Sequence, residues 1–335
     1  MIYHNRSKFR GILPPLVTPL VSRKLDEKGL EKLIEHTLSG GVHGLFLLGS
    51  TGEGPGLSQS LKIDLVRRTC AQVSGRVPIL VAITDTVLED SLDLAEASAK
   101  AGADAVVVAP PYYLPPGQAE FLSFLDFMLP RLPLPLFLYN MPSMTKVHLS
   151  AATIAEAITR AGIAGLKDSS GDMNLFHELL RVRGEKDLLL FIGSETLLGG
   201  AILFGADGGV CGGANVNPGL FVDMFQAASE KNFESVVALQ AELQRFARST
   251  GTATTPPAAS SAPFPFWGFA GMRWPHPSKR SPRRNASRCD AIWKRWDSFT
   301  QDPAGTMRRK SWNDIPCTPP GSSFPSCSGW PFARA

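Results

Sequence analysis

Pro135-Leu136-Phe137-Leu138-Tyr139-Asn140 and Ile163-Ala164-Gly165-Leu166-Lys167-Asp168-Ser169 flank a segment in which Ile154, Ala157, Ile158 and Ala161 recur at helical spacing, ending at Gly162. The two outer runs are continuously apolar rather than alternating, which is how strands read when both faces are buried in a parallel sheet. Each run ends on polar, chemically capable residues: Tyr139-Asn140 in the first and Lys167-Asp168-Ser169 in the second. The unit is therefore strand, helix, parallel strand, with polar groups at the carboxyl ends of the strands.

Working outward, similar runs occupy Ile12–Thr18, Gly44–Gly49, Pro78–Ile83, Ala105–Ala109, Leu188–Gly193 and Gly208–Gly213. Between them, Leu30, Leu33, Ile34, Thr37 and Leu38 form a helical stripe stopped by Gly40-Gly41, and Ala95, Ala99 and Gly102 form a small-residue face. Eight strands alternating with helices over about 230 residues predict an α/β fold of the (β/α)8 TIM-barrel type. A doubly wound open sheet is the structural rival, and the count of eight favours closure. In a barrel the chemistry sits at the carboxyl ends of the strands. Those ends are Thr18, Gly49-Ser50-Thr51-Gly52-Glu53, Thr84-Asp85, Pro110-Pro111-Tyr112-Tyr113, Tyr139-Asn140, Lys167-Asp168-Ser169, Gly193-Ser194-Glu195 and Gly213-Ala214-Asn215.

Composition divides the 335 residues near Ser249. Residues 250–335 contain no Leu and no Val but all six Trp, 13 of the 27 Pro and three of the five Cys. They carry 12 of the 34 Lys and Arg but only 4 of the 30 Asp and Glu, so the net charge of +4 comes from the tail and residues 1–249 are net acidic. This argues against nucleic acid as the partner of the first part. No stretch of 18 apolar residues suggests a membrane helix. Met1 to Arg10 has no apolar run behind it, so no secretory signal is expected. Cys70 and Cys211 alone in the first part make no disulfide framework, and a cytoplasmic location is the expectation.

A lysine at the position of Lys167 points into a largely apolar barrel mouth. Desolvation there disfavours the ammonium, and a neutral amine can attack a ketone to form a Schiff base. The plainer alternative is a solvent-exposed lysine paired with Asp168. Tyr139, one strand away, can relay protons or can be an ordinary core aromatic. Ser50 and Thr51 supply hydroxyls and amides in a glycine-flanked turn able to receive a carboxylate, although the same turn also serves as a plain strand-to-helix connection. A P-loop is excluded because no Gly-Lys-Ser/Thr follows. The six histidines avoid the strand ends, and Asp85 with Glu195 is a weak metal pair, so neither metal nor cofactor is expected. Cys211 reads as a small core residue.

Together, Gly49-Ser50-Thr51-Gly52-Glu53, Pro110-Pro111-Tyr112-Tyr113, Leu138-Tyr139-Asn140-Met141-Pro142-Ser143 and Gly165-Leu166-Lys167-Asp168-Ser169 resemble the dihydrodipicolinate synthase / N-acetylneuraminate lyase superfamily of Schiff-base pyruvate aldolases. The resemblance runs from about Arg10 to Arg248. It implies a lyase without cofactor, acting on pyruvate or a pyruvate-derived 2-oxo acid and forming a homo-oligomer (dimer or tetramer). By resemblance Lys167 forms the imine, and Tyr139 moves protons. Ser50 and Tyr113 complete the relay, with Tyr113 reaching in from a neighbouring subunit. Ser50 and Thr51 hold the substrate carboxylate, and Ser169, Glu195 and Asn215 face its remainder. The synthase branch usually places an arginine after Tyr-Asn-x-Pro-Ser, where this chain has Met144, followed by Thr145 and Lys146. Methionine cannot grip a carboxylate in bidentate fashion. The resemblance thus points to class I aldol cleavage or formation. The alternatives are 4-hydroxy-tetrahydrodipicolinate synthase, a 2-keto-3-deoxy sugar acid dehydratase and an inactive metabolite-binding barrel.

The expected organisation is a catalytic barrel over 1–230, the start of a C-terminal helical extension over 231–249, and a tail over 250–335. The superfamily ordinarily continues with further helices. Here Val236, Val237, Leu239, Leu243 and Phe246 begin one, and then periodicity stops at a Thr/Pro/Ala/Ser stretch. The tail is expected to be disordered and to arise from out-of-frame translation, leaving a truncated or replaced extension. A basic arm for nucleic acid or membranes is its alternative reading. Loss of the usual helices is expected to expose apolar surface near Leu220–Ala228 and Phe233–Phe246.

Overall fold

The computed structural model describes residues 6–250. In them the apolar runs become eight strands: β1 (Gly11–Ile12), β2 (Leu45–Leu47), β3 (Ile79–Ala82), β4 (Ala105–Val108), β5 (Leu136–Asn140), β6 (Ile163–Asp168), β7 (Leu189–Ile192) and β8 (Gly208–Gly209). From β2 to β8 neighbours in the chain are neighbours in the sheet, all parallel, and β8 pairs onward with β1. The remaining gap, between β1 and β2, is joined by a parallel bridge from Pro15 to Phe46. There Leu16 N donates to Phe46 O at 2.8 Å, and Phe46 N donates to Pro14 O at 3.0 Å. The sheet therefore curls into a (β/α)8 barrel. An open doubly wound sheet would leave two unpaired edges and reverse its strand order at a switch point.

At the β1–β8 seam the backbones approach closely. Gly208 pairs with Gly11, and a Cβ on Gly208 would lie 1.9 Å from the Gly11 carbonyl oxygen. No side chain fits there.

The intervening helices are α1 (Glu27–Ser39), α2 (Gln59–Val73), α3 (Leu88–Ala101), α4 (Gln118–Met128), α5 (Ala151–Ala157), α6 (Met173–Arg183), α7 (Leu198–Leu203), α8 (Pro218–Ser229) and α9 (Phe233–Thr250). Side chains of Asp26, Ser58, Ser150, Asp172 and Asn217 cap five of them by accepting from amides in the first turn. Leu30, Leu33, Ile34 and Thr37 of α1 are buried, as their spacing requires. α5 stops before the expected Ala161 because Thr159 and Arg160 bond back three residues, to Glu156 and Ala157, and tighten the last turn. A small hairpin, Leu20–Val21 with Lys24–Leu25, turns through Ser22 and Arg23, both at positive φ, and has no counterpart in the sequence reading.

The expected start of a C-terminal helix over 231–249 corresponds to α9. The expectations for the tail fall outside the described residues. α8 is not the exposed face anticipated, since Leu220, Phe221, Met224, Ala227 and Ala228 are buried. On the expected Phe233–Phe246 side, Phe233 and Val237 are exposed, and an apolar groove of about 600 Å³ runs between α6, α7 and α9, lined by Met173, Leu203, Phe204, Val236 and Val237. It lies in the helix layer and reaches Thr196 and Leu197, just past the end of β7.

The two ends of the barrel differ in kind. At the amino end, Asp207 accepts from Arg183 Nη1 and from Leu190 N, both at 2.9 Å, and Asp104 is tied to Lys8 and to Ile79 N. These contacts are structural, as expected for that face.

Candidate active site

β5 and β6 place their last residues side by side, with Tyr139 opposite Lys167 and Asn140 opposite Asp168. Side chains alternate along a strand, so Lys167 and Tyr139 point into the barrel while Asp168 and Asn140 point out toward the helices. This alternation overturns the plain alternative of a Lys167–Asp168 ion pair. Lys167 is only 5% exposed. Its Nζ lies 4.2 Å from the centre of the Tyr139 ring and 4.5 Å from that of Phe46. Among the described residues no carboxylate forms an ion pair with it. Tyr139 is buried and meets Phe46 edge to face, with centroids 6.2 Å apart.

Asp168 is fully buried on the other side. Its Oδ1 accepts from Asn140 Nδ2 at 2.7 Å and its Oδ2 from Ser170 Oγ at 2.9 Å. Burial pushes its carboxyl above the usual carboxylate range, against the opposing effect of these hydrogen bonds.

The Gly49–Glu53 turn is held by Glu53 N donating to Ser50 O and Gly54 N to Gly49 O. Leu48 and Glu53, which flank it, both adopt left-handed backbone, with φ of 61° and 55°. A Cβ on Gly52 would lie 2.7 Å from the Leu16 carbonyl oxygen, so the turn sits tight against the exit of β1. Thr18 Oγ1 donates to Gly52 O from the same side.

Across the mouth, Glu195 Oε1 accepts from Gly213 N at 2.6 Å. A Cβ on Gly212 would lie 3.3 Å from Glu195 Oε1 and 3.7 Å from Thr51 Oγ1, so those two side chains converge above Gly212. Cys211 is fully buried beside them. Burial and the Glu195 charge push its thiol well up, as for a small core residue.

Ser169 Oγ rests over Gly193, where an added Cβ would meet it at 1.9 Å, and Ser169 N donates to Asn140 O. Tyr113 stands apart. It is 89% exposed, with φ of 71°, and within this chain no hydrogen bond among the described residues joins it to Ser50 or Tyr139. Asn215 requires a correction as a substrate-facing group. Its Nδ2 donates to Pro15 O and Gly212 O, both at 2.9 Å, and its Oδ1 accepts from Val17 N at 3.1 Å. The amide ties the β1 exit to the β8 loop.

Three residues around the mouth had no role expected from the sequence, although Asn140 was among the strand ends. Phe46 forms one wall of the Lys167 site. Asn140 holds Asp168. Lys62 of α2 is 5% exposed and donates to Asp85 Oδ2 at 2.6 Å, while Asp85 Oδ1 accepts from Thr86 N. A signal for Lys62 was present, because it lies on the apolar stripe of α2 with Leu65, Val66 and Thr69. Among the described residues no cluster of metal-ligating side chains occurs. No helix among them is long and apolar enough to cross a membrane.

Known proteins share the sequence pattern and the fold of this chain. The profile of the dihydrodipicolinate synthetase family matches residues 8–258. The 4-hydroxy-tetrahydrodipicolinate synthase of Salinibacter ruber is 30% identical over 278 residues, 82% of this chain and 89% of that protein. Among solved structures, dihydrodipicolinate synthase from Bacteroides thetaiotaomicron superposes with a TM-score of 0.70 at 44% identity, covering 72% of this chain and 82% of that one. The prophage protein YagE of E. coli K12, solved in complex with pyruvate, gives 0.70 at 27% identity, covering 72% and 83%. A buried strand-end lysine on a closed barrel and a family match over three quarters of the chain lead to one conclusion: this chain belongs to the dihydrodipicolinate synthetase family and is a lyase of the class I, Schiff-base kind.

Proposed function

We propose that the chain makes or breaks a carbon–carbon bond next to the carbonyl of pyruvate or a pyruvate-derived 2-oxo acid, with Lys167 as the imine-forming residue. The observation that carries this reading is the state of Lys167: buried, facing two aromatic rings, with no carboxylate partner among the described residues. Its amine adds to the 2-oxo carbon, the carbonyl oxygen leaves as water, and the resulting iminium withdraws electrons from the adjacent bond. In the synthetic direction the methyl group loses a proton and the enamine attacks an aldehyde. In cleavage the bond electrons pass into the iminium and the aldehyde departs. Tyr139 is the proton carrier, being the only phenol whose ring touches Lys167 among the described residues. Ser50 and Thr51 hold the carboxylate in the glycine turn, and Ser169 and Glu195 face the remainder of the substrate. The exposure of Tyr113 suits a relay completed between subunits of a homodimer or homotetramer. A cytoplasmic location without nucleic-acid or membrane partners belongs to the same reading.

The synthase names of relatives favour a second reading, condensation with aspartate semialdehyde. Against it stands the segment after Tyr139. Met144 brings no charge, and the exposed Lys146 donates its Nζ to Ser143 O at 2.7 Å rather than replacing an arginine. The test of the main reading is pyruvate with borohydride, followed by peptide mass spectrometry. One reduced pyruvyl group on the Lys167 peptide is expected, and labelling of another lysine instead overturns the assignment.

A further inference from the structure

We infer that Asn140 and Asp168 form a positioning pair for the reacting centre, holding Tyr139 and Lys167 at their working separation from behind. The inference rests on the Schiff-base reading of Lys167. Both residues are fully buried, directly opposite each other at the last rung of the β5–β6 ladder, and joined by a side-chain hydrogen bond of 2.7 Å. Each immediately follows one of the two inward-facing groups. A shift of the Asn140–Asp168 rung therefore moves the 4.2 Å contact between Nζ and the Tyr139 ring.

The pair is also the junction for everything around it. Asn140 Oδ1 accepts from Leu149 N at 3.2 Å, fixing the loop between β5 and α5. Ser170 Oγ donates to Asp168 Oδ2 and accepts from Asp172 N at 3.1 Å, fixing the entry to α6. On the backbone, Ser169 N donates to Asn140 O at 2.9 Å and Gly193 N to Asp168 O at 2.7 Å, which brings in β7. A buried carboxylate with no cation bonded to it is an unfavourable choice for stability alone, since apolar residues of the same volume fold at least as well. Directional hydrogen bonds supply what apolar packing does not, a single register for the two strand ends.

The experiment measures the rate of borohydride-trapped pyruvyl adduct per folded molecule, with thermal unfolding followed in parallel. The reciprocal exchange Asn140→Asp with Asp168→Asn keeps the network except for the long contact from Ser170 N to Asp168 Oδ1 at 3.4 Å, because the amide at 168 donates to the carboxylate at 140 and accepts from Ser170 Oγ. It is expected to trap within a few-fold of wild type. Asn140→Asp alone sets two carboxylates against each other, and replacing both residues by Leu removes the network without leaving a cavity. Each is expected to slow trapping about 100-fold, the effect of roughly 1 Å of misplacement. Trapping at the wild-type rate in the Leu pair overturns the inference, whatever its melting temperature. So does a reciprocal exchange that traps as slowly as Asn140→Asp, and this arm decides the matter if the Leu pair does not fold. Wild-type protein that traps no pyruvate at Lys167 defeats the Schiff-base reading instead, which is a separate result.

Discussion

Two lysines of this barrel are equally buried, and their surroundings are opposite. Lys62, on α2, meets the Asp85 carboxylate at 2.6 Å. Lys167, at the end of β6, meets the faces of Phe46 and Tyr139. Burial by itself is therefore not the mark of a reactive lysine. The Lys62 amine is taken up by the Asp85 carboxylate, whereas the Lys167 amine faces only rings and has no carboxylate to leave when a carbonyl compound enters. Both sit near the carboxyl ends of the strands, but Lys62 lies in the helix layer and Lys167 lies inside the barrel.

The largest effect expected from this contrast is on the imine. Lys167→Met should abolish pyruvyl trapping, while Lys62→Met should leave it at the peptide containing Lys167. Trapping that follows Lys62 instead would reverse the comparison.

The next effect concerns the aldehyde partner. With Met144 where the synthase branch places arginine, use of aspartate semialdehyde should fall below that of a hydroxylated 2-oxo acid of four to seven carbons. Loss of one charged, hydrogen-bonded contact costs about 2–5 kcal/mol, or roughly 30- to 5,000-fold in kcat/KM. Met144→Arg should recover part of that loss in a steady-state assay. Efficient dihydrodipicolinate formation that ignores position 144 would show the pocket to be arranged differently.

Stability gives a smaller signal of the same contrast. Lys62→Met leaves Asp85 without its cation and should cost about 3 kcal/mol in urea unfolding, toward the lower end for a broken buried pair because Asp85 keeps some contact with water. Adding Asp85→Leu should restore most of it. If the single change costs nothing, the ion pair is only incidental to the fold.

The smallest effect is in pH dependence, and it separates two carboxylates. Burial pushes Asp85 up, but the Lys62 ammonium and the amides of Thr86 and Val87 outweigh it and hold the group below its usual range. Its contribution to stability is therefore present above the ordinary carboxylate range and lost as pH falls through the depressed value. Asp168 is shifted upward, so its contribution is full in acid and lost as pH rises through the raised value. Asp85→Asn should thus destabilise more at pH 7 than at pH 3, and Asp168→Asn should do the reverse. Urea midpoints across that range read both signs.

The barrel was legible because its strands have no polar face. Runs such as Val106-Val107-Val108 or Leu188-Leu189-Leu190 have one physical explanation at that length, and a polar residue at each end marks the direction of the site. Tyr139 and Lys167 were legible for the same reason. Side-chain partners were harder to foresee. Asn215 was expected to face the substrate, yet its side-chain amide is taken up by the Pro15 carbonyl and the Val17 amide, which are distant in sequence and invisible to local pattern. The direction of Asp168 follows from alternation, but its partners come from β5 and from the loop before α6. Phe46 reads as one more apolar strand residue until the barrel curls it against Lys167.

The seam between β1 and its two neighbours has a consequence for assembly. Ladder pairs such as Phe46 with Leu80 can form as soon as adjacent units exist, whereas Gly11 must wait for Gly208. The longest loop closes for a register of only two residue pairs, so it closes late. Until it does, the half-circle that carries Phe46 has no fixed approach to the one that carries Lys167. The Tyr139 wall of the Lys167 site comes from the neighbouring strand, but the Phe46 wall depends on this closure.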